Sequence, residues 1–236
     1  VGIAQSLSLQ GAQLALTYQS ERLEENVRSL GSSLNEALIL KCDLSVDENV
    51  RALMAHLSEV WGGIDFLVHA VAYARSEDLE GGYAKTPQSG FDLAMSVSAY
   101  SFTRLVREAA PLFQKNGGGS AVTLSYLGGQ RVLPGYNVMG VAKAALESSV
   151  RYLANDLGPQ NIRVNALSAG PVSTLAARSI PHFGDLLKNV REKAPLRRDL
   201  DPAEVGDAAL FLCSSLSRAV TGQVLFVDCG YSILAC

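Results

Sequence analysis

Short apolar runs alternate with longer amphipathic segments along the chain. The apolar runs cover residues 12–18, 37–41, 64–69, 120–125, 162–168 and 224–228. They are apolar on both faces, which predicts strands of a parallel sheet covered by helices. The segments between them space their apolar residues three and four apart and predict helices. Residues 1–10 read as the back half of such a helix, stopped by Gly11. Ser20 is placed to cap a helix to about residue 34, with Glu21, Glu24 and Glu25 set against its dipole. Ser45 and Glu48 form an S-x-x-E capping box for a helix to about residue 61. Thr86-Pro87 predicts the start of a long helix reaching about residue 115, with a break near residues 97–100. Further helices are predicted from about residue 136 to 157 and, behind the box Asp201-Pro202-x-Glu204, to about residue 214.

This alternation predicts an α/β, Rossmann-like doubly wound parallel sheet in one domain, residues 1–236. One piece of that architecture is missing from the pattern. Such a fold opens on a strand and a Gly-rich turn that presents a helix N-terminus to a pyrophosphate. This sequence opens inside the following helix. The absent strand would lie between the strands at 12–18 and 64–69, and a gap there leaves two unpaired edges. We therefore expect the natural protein to carry about two dozen further residues ahead of Val1.

Composition narrows the function. Hydrophobic residues make up 48% of the 236 and charged residues 18%, enough to bury a sizeable core. The net charge of −3, with no basic cluster, argues against nucleic acid as a partner. No apolar run reaches the roughly 18 residues of a spanning helix, and no signal peptide is visible, so a cytoplasmic location without a membrane is expected. Cys42, Cys213, Cys229 and Cys236 show no C-x2-C pair, and reduced, mostly buried thiols are expected. His56, His69 and His182 have neither nucleophile motif nor metal spacing, and read as structural or surface residues.

The chemistry concentrates in residues 125–143, SYLGGQRVLPGYNVMGVAK. The stretch leaves a strand, crosses a Gly/Pro loop and enters a helix. Tyr136 and Lys143 are seven positions apart, about two turns, and so share a helix face. A tyrosine is protonated near neutrality and can donate to an incipient oxyanion. A nearby lysine cation is expected to lower the phenol's pKa and make it a better donor. Tyr126 stands ten residues earlier, at the strand end.

A Tyr and a Lys at a strand-to-helix junction resemble the short-chain dehydrogenase/reductase superfamily, whose common pattern is Tyr-x3-Lys after a strand Ser. Here Met139 occupies that Tyr position, the tyrosine lies one turn earlier to give Tyr-x6-Lys, and Tyr126 stands about where the Ser would be. That variant, together with SYLG, YNVMG, RVNALSAGP and VDCGYSI, resembles one branch over nearly the whole chain: the enoyl-acyl-carrier-protein reductases of bacterial fatty-acid synthesis.

The resemblance implies reduction of the trans-2 double bond of an enoyl thioester on acyl carrier protein, with NADH as cofactor. It implies that Tyr136 stabilises the enolate, that Lys143 also holds the nicotinamide ribose, and that Tyr126 supports the substrate. Gln19, at the end of the second strand of the fold, goes with NADH in this family, although Arg22 leaves room for a 2′-phosphate. Asp43 and Leu44 match adenine contacts, with an ordinary turn as the other reading of Asp43. Val71 matches a cofactor contact, while Ala72 stands where the family usually has Gly. Val172, Ser173, Thr174, Leu175 and Ala176 are implied to line the nicotinamide and pyrophosphate, and Ser173 departs from a basic residue. Beyond them, residues 175–195 resemble a substrate lid from which Ala176, Ile180 and Phe183 face the acyl chain. Tyr73, Ala74, Leu79 and Met139 complete an apolar pocket. A homotetramer is implied, with the long helices at 86–115 and 136–157 as interface candidates. The rival readings are a ketoacyl or carbonyl reductase of the same superfamily and a non-catalytic dinucleotide-binding protein. Tyr-x6-Lys with Tyr126 argues against the first, and the presence of both Tyr136 and Lys143 against the second.

Overall fold

The computed structural model describes residues 1–172 and 183–235. Its strands are β1 (Ala15–Tyr18), β2 (Leu38–Lys41), β3 (Phe66–His69), β4 (Gly119–Ser125), β5 (Ile162–Ala169) and β6 (Val224–Val227). All pairings between them are parallel. The order β3-β4-β5-β6 forms one sheet, and β1-β2 forms a second that is not hydrogen-bonded to β3.

Helices cover both faces. They are α1 (Gly2–Leu9), α2 (Glu21–Gly31), α3 (Asp47–Trp61), α4 (Ser76–Leu79), α5 (Gln88–Met95), α6 (Ser101–Lys115), α7 (Asn137–Leu157), α8 (Phe183–Lys193) and α9 (Pro202–Cys213). Successive β4 side chains point to opposite faces. Ala121 accordingly joins Phe102, Val106, Leu146 and Val150 of α6 and α7, while Val122 joins Val205, Ala209 and Leu212 of α9. This two-sided burial is why the strands read as apolar runs without alternation.

Several sequence expectations need correction. Ser45 and Glu48 do not cap α3; Ser45 Oγ donates to Asp43 at 2.7 Å, and the helix begins at Asp47 behind an uncapped Val46. Ser20 flanks α2 without a side-chain cap, and α2 ends at Gly31 rather than near residue 34. Thr86 is not the flanking residue of the long helix; Pro87 is, and α5 starts at Gln88. The Asp201 box is present as expected, with Ala203 N–H donating to Asp201 and Asp201 N–H to Glu204 at 2.9 Å. The expected break at 97–100 is a π-helical turn, Ser96–Tyr100, which joins α5 to α6 without interrupting the rod. It aims Ser98 at the backbone of Tyr73 and Ser101 at His69.

Candidate active site

The site is built where β4 ends and α7 begins. Ser125 closes β4, residues 127–129 make a 3-10 turn, and Tyr136 stands at the entry to α7. The Tyr126 and Tyr136 rings meet edge to face, centroids 5.2 Å apart at 71°. Gly128 makes room for this: a Cβ there would lie 2.3 Å from the Tyr136 ring. Among the described residues neither hydroxyl has a hydrogen-bond partner, so both are available to a ligand.

Lys143 lies on the same helix two turns on and is buried, with Nζ donating to the Leu124 carbonyl at 2.7 Å. Its charge is tied back to the strand instead of resting on Tyr136. The expectation that Lys143 lowers the Tyr136 pKa is therefore corrected. Burial first, and then repulsion from Tyr126, push Tyr136 well above its ordinary 10. Burial, with Tyr231 behind it, pushes Tyr126 up to about 12. Both phenols are thus neutral donors through the physiological range. Lys143 moves the other way: burial lowers it from 10.5 to about 8, and Glu147 offsets part of that fall.

Glu147 was missed by sequence reasoning. It is buried, and it accepts from Ser125 Oγ at 2.5 Å and from Gln130 Nε2 at 3.0 Å. One carboxylate so holds the strand end, the loop and the helix together around Tyr126. Its place four residues after Lys143, on the helix face that also buries Leu146 and Val150, was the available signal. Asn137 was missed as well. It has φ +34 directly after Tyr136, and its Nδ2 reaches the carbonyl oxygens of Leu79 at 2.9 Å, Gly81 at 3.1 Å and Glu80 at 3.4 Å.

His69 supports the site from β3. Its Nε2 meets Ser101 Oγ and its Nδ1 meets Thr123 Oγ1, each at 2.9 Å. Ser101 already donates its proton to Val97 O at 2.6 Å, so it accepts from His69, which fixes the proton on Nε2. Burial, reinforced by Lys143, pushes His69 down to about 3 and keeps it neutral.

Tyr126, Tyr136, Lys143, Leu44, Val71 and Val172 share the lining of one cavity. Gln19 and Asp43 lie outside that lining but meet each other, Gln19 Nε2 donating to Asp43 at 3.1 Å. Asp43 is also a turn residue, accepting from Ser45 N–H at 2.9 Å. Tyr73, Ala74, Leu79 and Met139 lie outside the cavity lining too. Tyr73 is 52% exposed, Met139 is buried, and Leu79 is tied to Asn137. Ser173, Thr174, Leu175, Ala176 and Ile180 lie outside the described residues, as does the first part of the expected lid; its remainder is α8, which begins at Phe183. Cys42, Cys213 and Cys229 are free thiols. No described helix is long and apolar enough to cross a membrane.

A family model described as enoyl-(acyl carrier protein) reductase matches residues 1–232. The enoyl-[acyl-carrier-protein] reductase [NADH] of Bacillus subtilis (strain 168) is 50% identical over 236 residues, covering 99% of this chain and 91% of that protein. The enzyme of the same name from Aquifex aeolicus (strain VF5) is 48% identical over 233 residues, covering 99% and 86%. The crystal structure of the Bacillus cereus enoyl-acyl carrier protein reductase with NADP+ and indole naphthyridinone superposes with a TM-score of 0.96 at 49% identity, covering 100% of this chain and 91% of that one. That of the reductase from Anaplasma phagocytophilum in complex with NAD gives 0.95 at 48%, covering 100% and 89%. Sequence and fold agree over nearly the full length, and the chain belongs to the enoyl-(acyl carrier protein) reductase family.

Proposed function

We propose that this chain reduces the trans-2 double bond of an enoyl thioester on acyl carrier protein with NADH, in fatty-acid elongation, and that Tyr136, Tyr126 and Lys143 carry the work. The observation behind this reading is the pair of phenols, Tyr126 edge to face with Tyr136, at the carboxyl end of β4, with the buried Lys143 two turns along α7 from Tyr136. The residues present suit a dinucleotide. Leu44, Val71 and Lys143 share one lining, and Gln19 meets Asp43 next to Leu44 in the chain. NADH, when bound, supplies hydride to the β-carbon of the enoyl group. Tyr136 donates to the thioester oxygen as negative charge builds there, and a neutral phenol suits that role. Tyr126 packs on the Tyr136 ring and fixes its direction. Lys143 holds ribose hydroxyls. Glu147 holds Ser125 and Gln130 on either side of Tyr126, and His69 ties β3 to Thr123 and Ser101.

The relatives' names supply the NADH preference, and Gln19 beside Asp43 supports it, because a carboxylate there opposes a 2′-phosphate. Gln19, Asp43, Leu44, Val71 and Val172, with Ser173 to Ala176, form the proposed cofactor path. Tyr73, Ala74, Leu79, Met139, Ala176, Ile180 and Phe183 form the proposed acyl surface. A cytoplasmic homotetramer fits the apolar exposure of Tyr152 on α7 and Tyr100 at the start of α6. The test is NADH oxidation with a trans-2-enoyl thioester, run beside a 3-ketoacyl thioester and beside NADPH. Oxidation with the enoyl substrate is expected. Oxidation with the ketoacyl substrate alone would transfer the chain to the ketoacyl reductases.

A further inference from the structure

Asn137 sits in a conformation that its helix does not need. Its φ of +34 lies in the left-handed region, where side chains other than Gly are disfavoured and Asn is tolerated best. The conformation comes with contacts outside the helix. Nδ2 faces three successive carbonyl oxygens, Leu79, Glu80 and Gly81, at 2.9, 3.4 and 3.1 Å. An amide nitrogen carries two protons, so it serves this cluster only as a shared, bifurcated donor.

The segment so held has a reason to leave. Asp78, beside Leu79, is 4% exposed, and both of its carboxyl oxygens lack a hydrogen-bond partner. The group packs directly on Gly90, where any Cβ would lie 2.4 Å from those oxygens. A buried carboxyl without partners opposes the docked position of its own segment. The Asn137 amide pulls the other way, and it does so from the residue next to Tyr136.

We propose that Asn137 is a positioning residue that ties the α4 wall, residues 76–82, to the catalytic tyrosine, so that an enoyl group resting on the wall meets the Tyr136 hydroxyl in register. This rests on the reading of Tyr136 as the donor and of Leu79 as part of the acyl surface. The tie is short, since one side chain spans from the donor's neighbour to the wall. Displacement of reacting groups by about 1 Å is enough to lower turnover on the order of a hundredfold.

The test is steady-state kinetics of Asn137→Gly, Asn137→Ala and Asn137→Asp with crotonyl and longer trans-2-enoyl thioesters, together with NADH binding followed by fluorescence and thermal unfolding. Asn137→Gly is the informative variant, because it suits the left-handed backbone but has no amide. It should unfold no earlier than the parent, bind NADH within about twofold of it, and lose at least about tenfold in kcat/KM, mainly through kcat for the enoyl thioester. Asn137→Asp keeps the shape but turns acceptors toward three carbonyls, and should lose more. Parental kcat and KM in Asn137→Gly would overturn the proposal. So would a loss that follows NADH affinity or unfolding temperature in every variant, since that marks a purely structural role. Tyr136→Phe measured alongside separates the two levels: full activity there removes the underlying reading, whereas a slow Tyr136→Phe with a normal Asn137→Gly removes only the tie.

Discussion

Replacing Lys143 with Met asks whether the site holds its ammonium at the expense of the fold. Lys143 is 5% exposed. Burial lowers its pKa from 10.5 to about 8, and Glu147 recovers only part of the fall. At about 1.4 kcal/mol per pK unit, that corresponds to about 3 kcal/mol of stability forgone near neutrality. The sign follows from proton counting. Between pH 8 and 10.5 the unfolded chain keeps the proton and the folded chain releases it. Stability therefore rises with pH across that window, and the penalty is complete below it. Methionine resembles the lysine stem in length and carries no charge. The Lys143→Met chain without cofactor should be more stable than the parent by up to about 3 kcal/mol at about pH 7. That figure is an upper limit, because Leu124 O loses a donor and Glu147 a neighbouring cation. Urea unfolding followed by the fluorescence of Trp61, the single tryptophan, reads the difference. The gap should close as pH approaches 10.5, and NADH binding should be weakened throughout. A destabilised variant, or a gap that ignores pH, would refute the view that desolvation dominates at this lysine.

Three further outcomes are expected. Tyr136→Phe should lower kcat for enoyl thioesters by about 10²–10³, the loss typical of one oxyanion donor, with NADH affinity unchanged; an unaltered kcat would remove Tyr136 from the chemistry. NADH affinity in the parent should be level below about pH 8, where Lys143 is an ammonium, and should weaken as pH rises past that point; a profile flat to about pH 10 would place the ribose contact elsewhere. Burial alone would raise the Asp43 pKa, but hydrogen bonds from Ser45 and Gln19 more than offset it, so Asp43 titrates below its ordinary value and is a carboxylate near neutrality. Asp43→Asn should accordingly narrow the preference for NADH over NADPH, read as the ratio of kcat/KM values, and an unchanged ratio would free Asp43 of that role.

What the sequence discloses follows the range of the forces involved. The α7 helix depends on spacing within a few turns, and it is legible. The Asp201 box was legible for the same reason. Ser45 misled because a hydroxyl two residues from Asp43 has a competing partner, and the turn won over the helix. The Lys143 charge was read as acting on the nearest named phenol, whereas its nitrogen turns to a carbonyl of β4. The bond between Ser125 and Glu147 joins residues 22 apart, and the bond from Asn137 to Leu79 spans 58. No local pattern encodes such pairings; they follow from which elements the sheet brings side by side.

The π-helical turn at Ser96–Tyr100 has a consequence for how this rod can change over evolutionary time. Such a turn is one residue added to an α-helix, and it rotates everything after it by about 100° relative to everything before. Ser98 and Ser101 depend on that rotation to address Tyr73 and His69. Deleting a single residue here would leave a more regular helix, yet it would turn Ser101 away from the histidine and carry the apolar face of α6 off the sheet. The extra residue and the two serines therefore form one heritable unit, which a frame-preserving deletion of one codon would break.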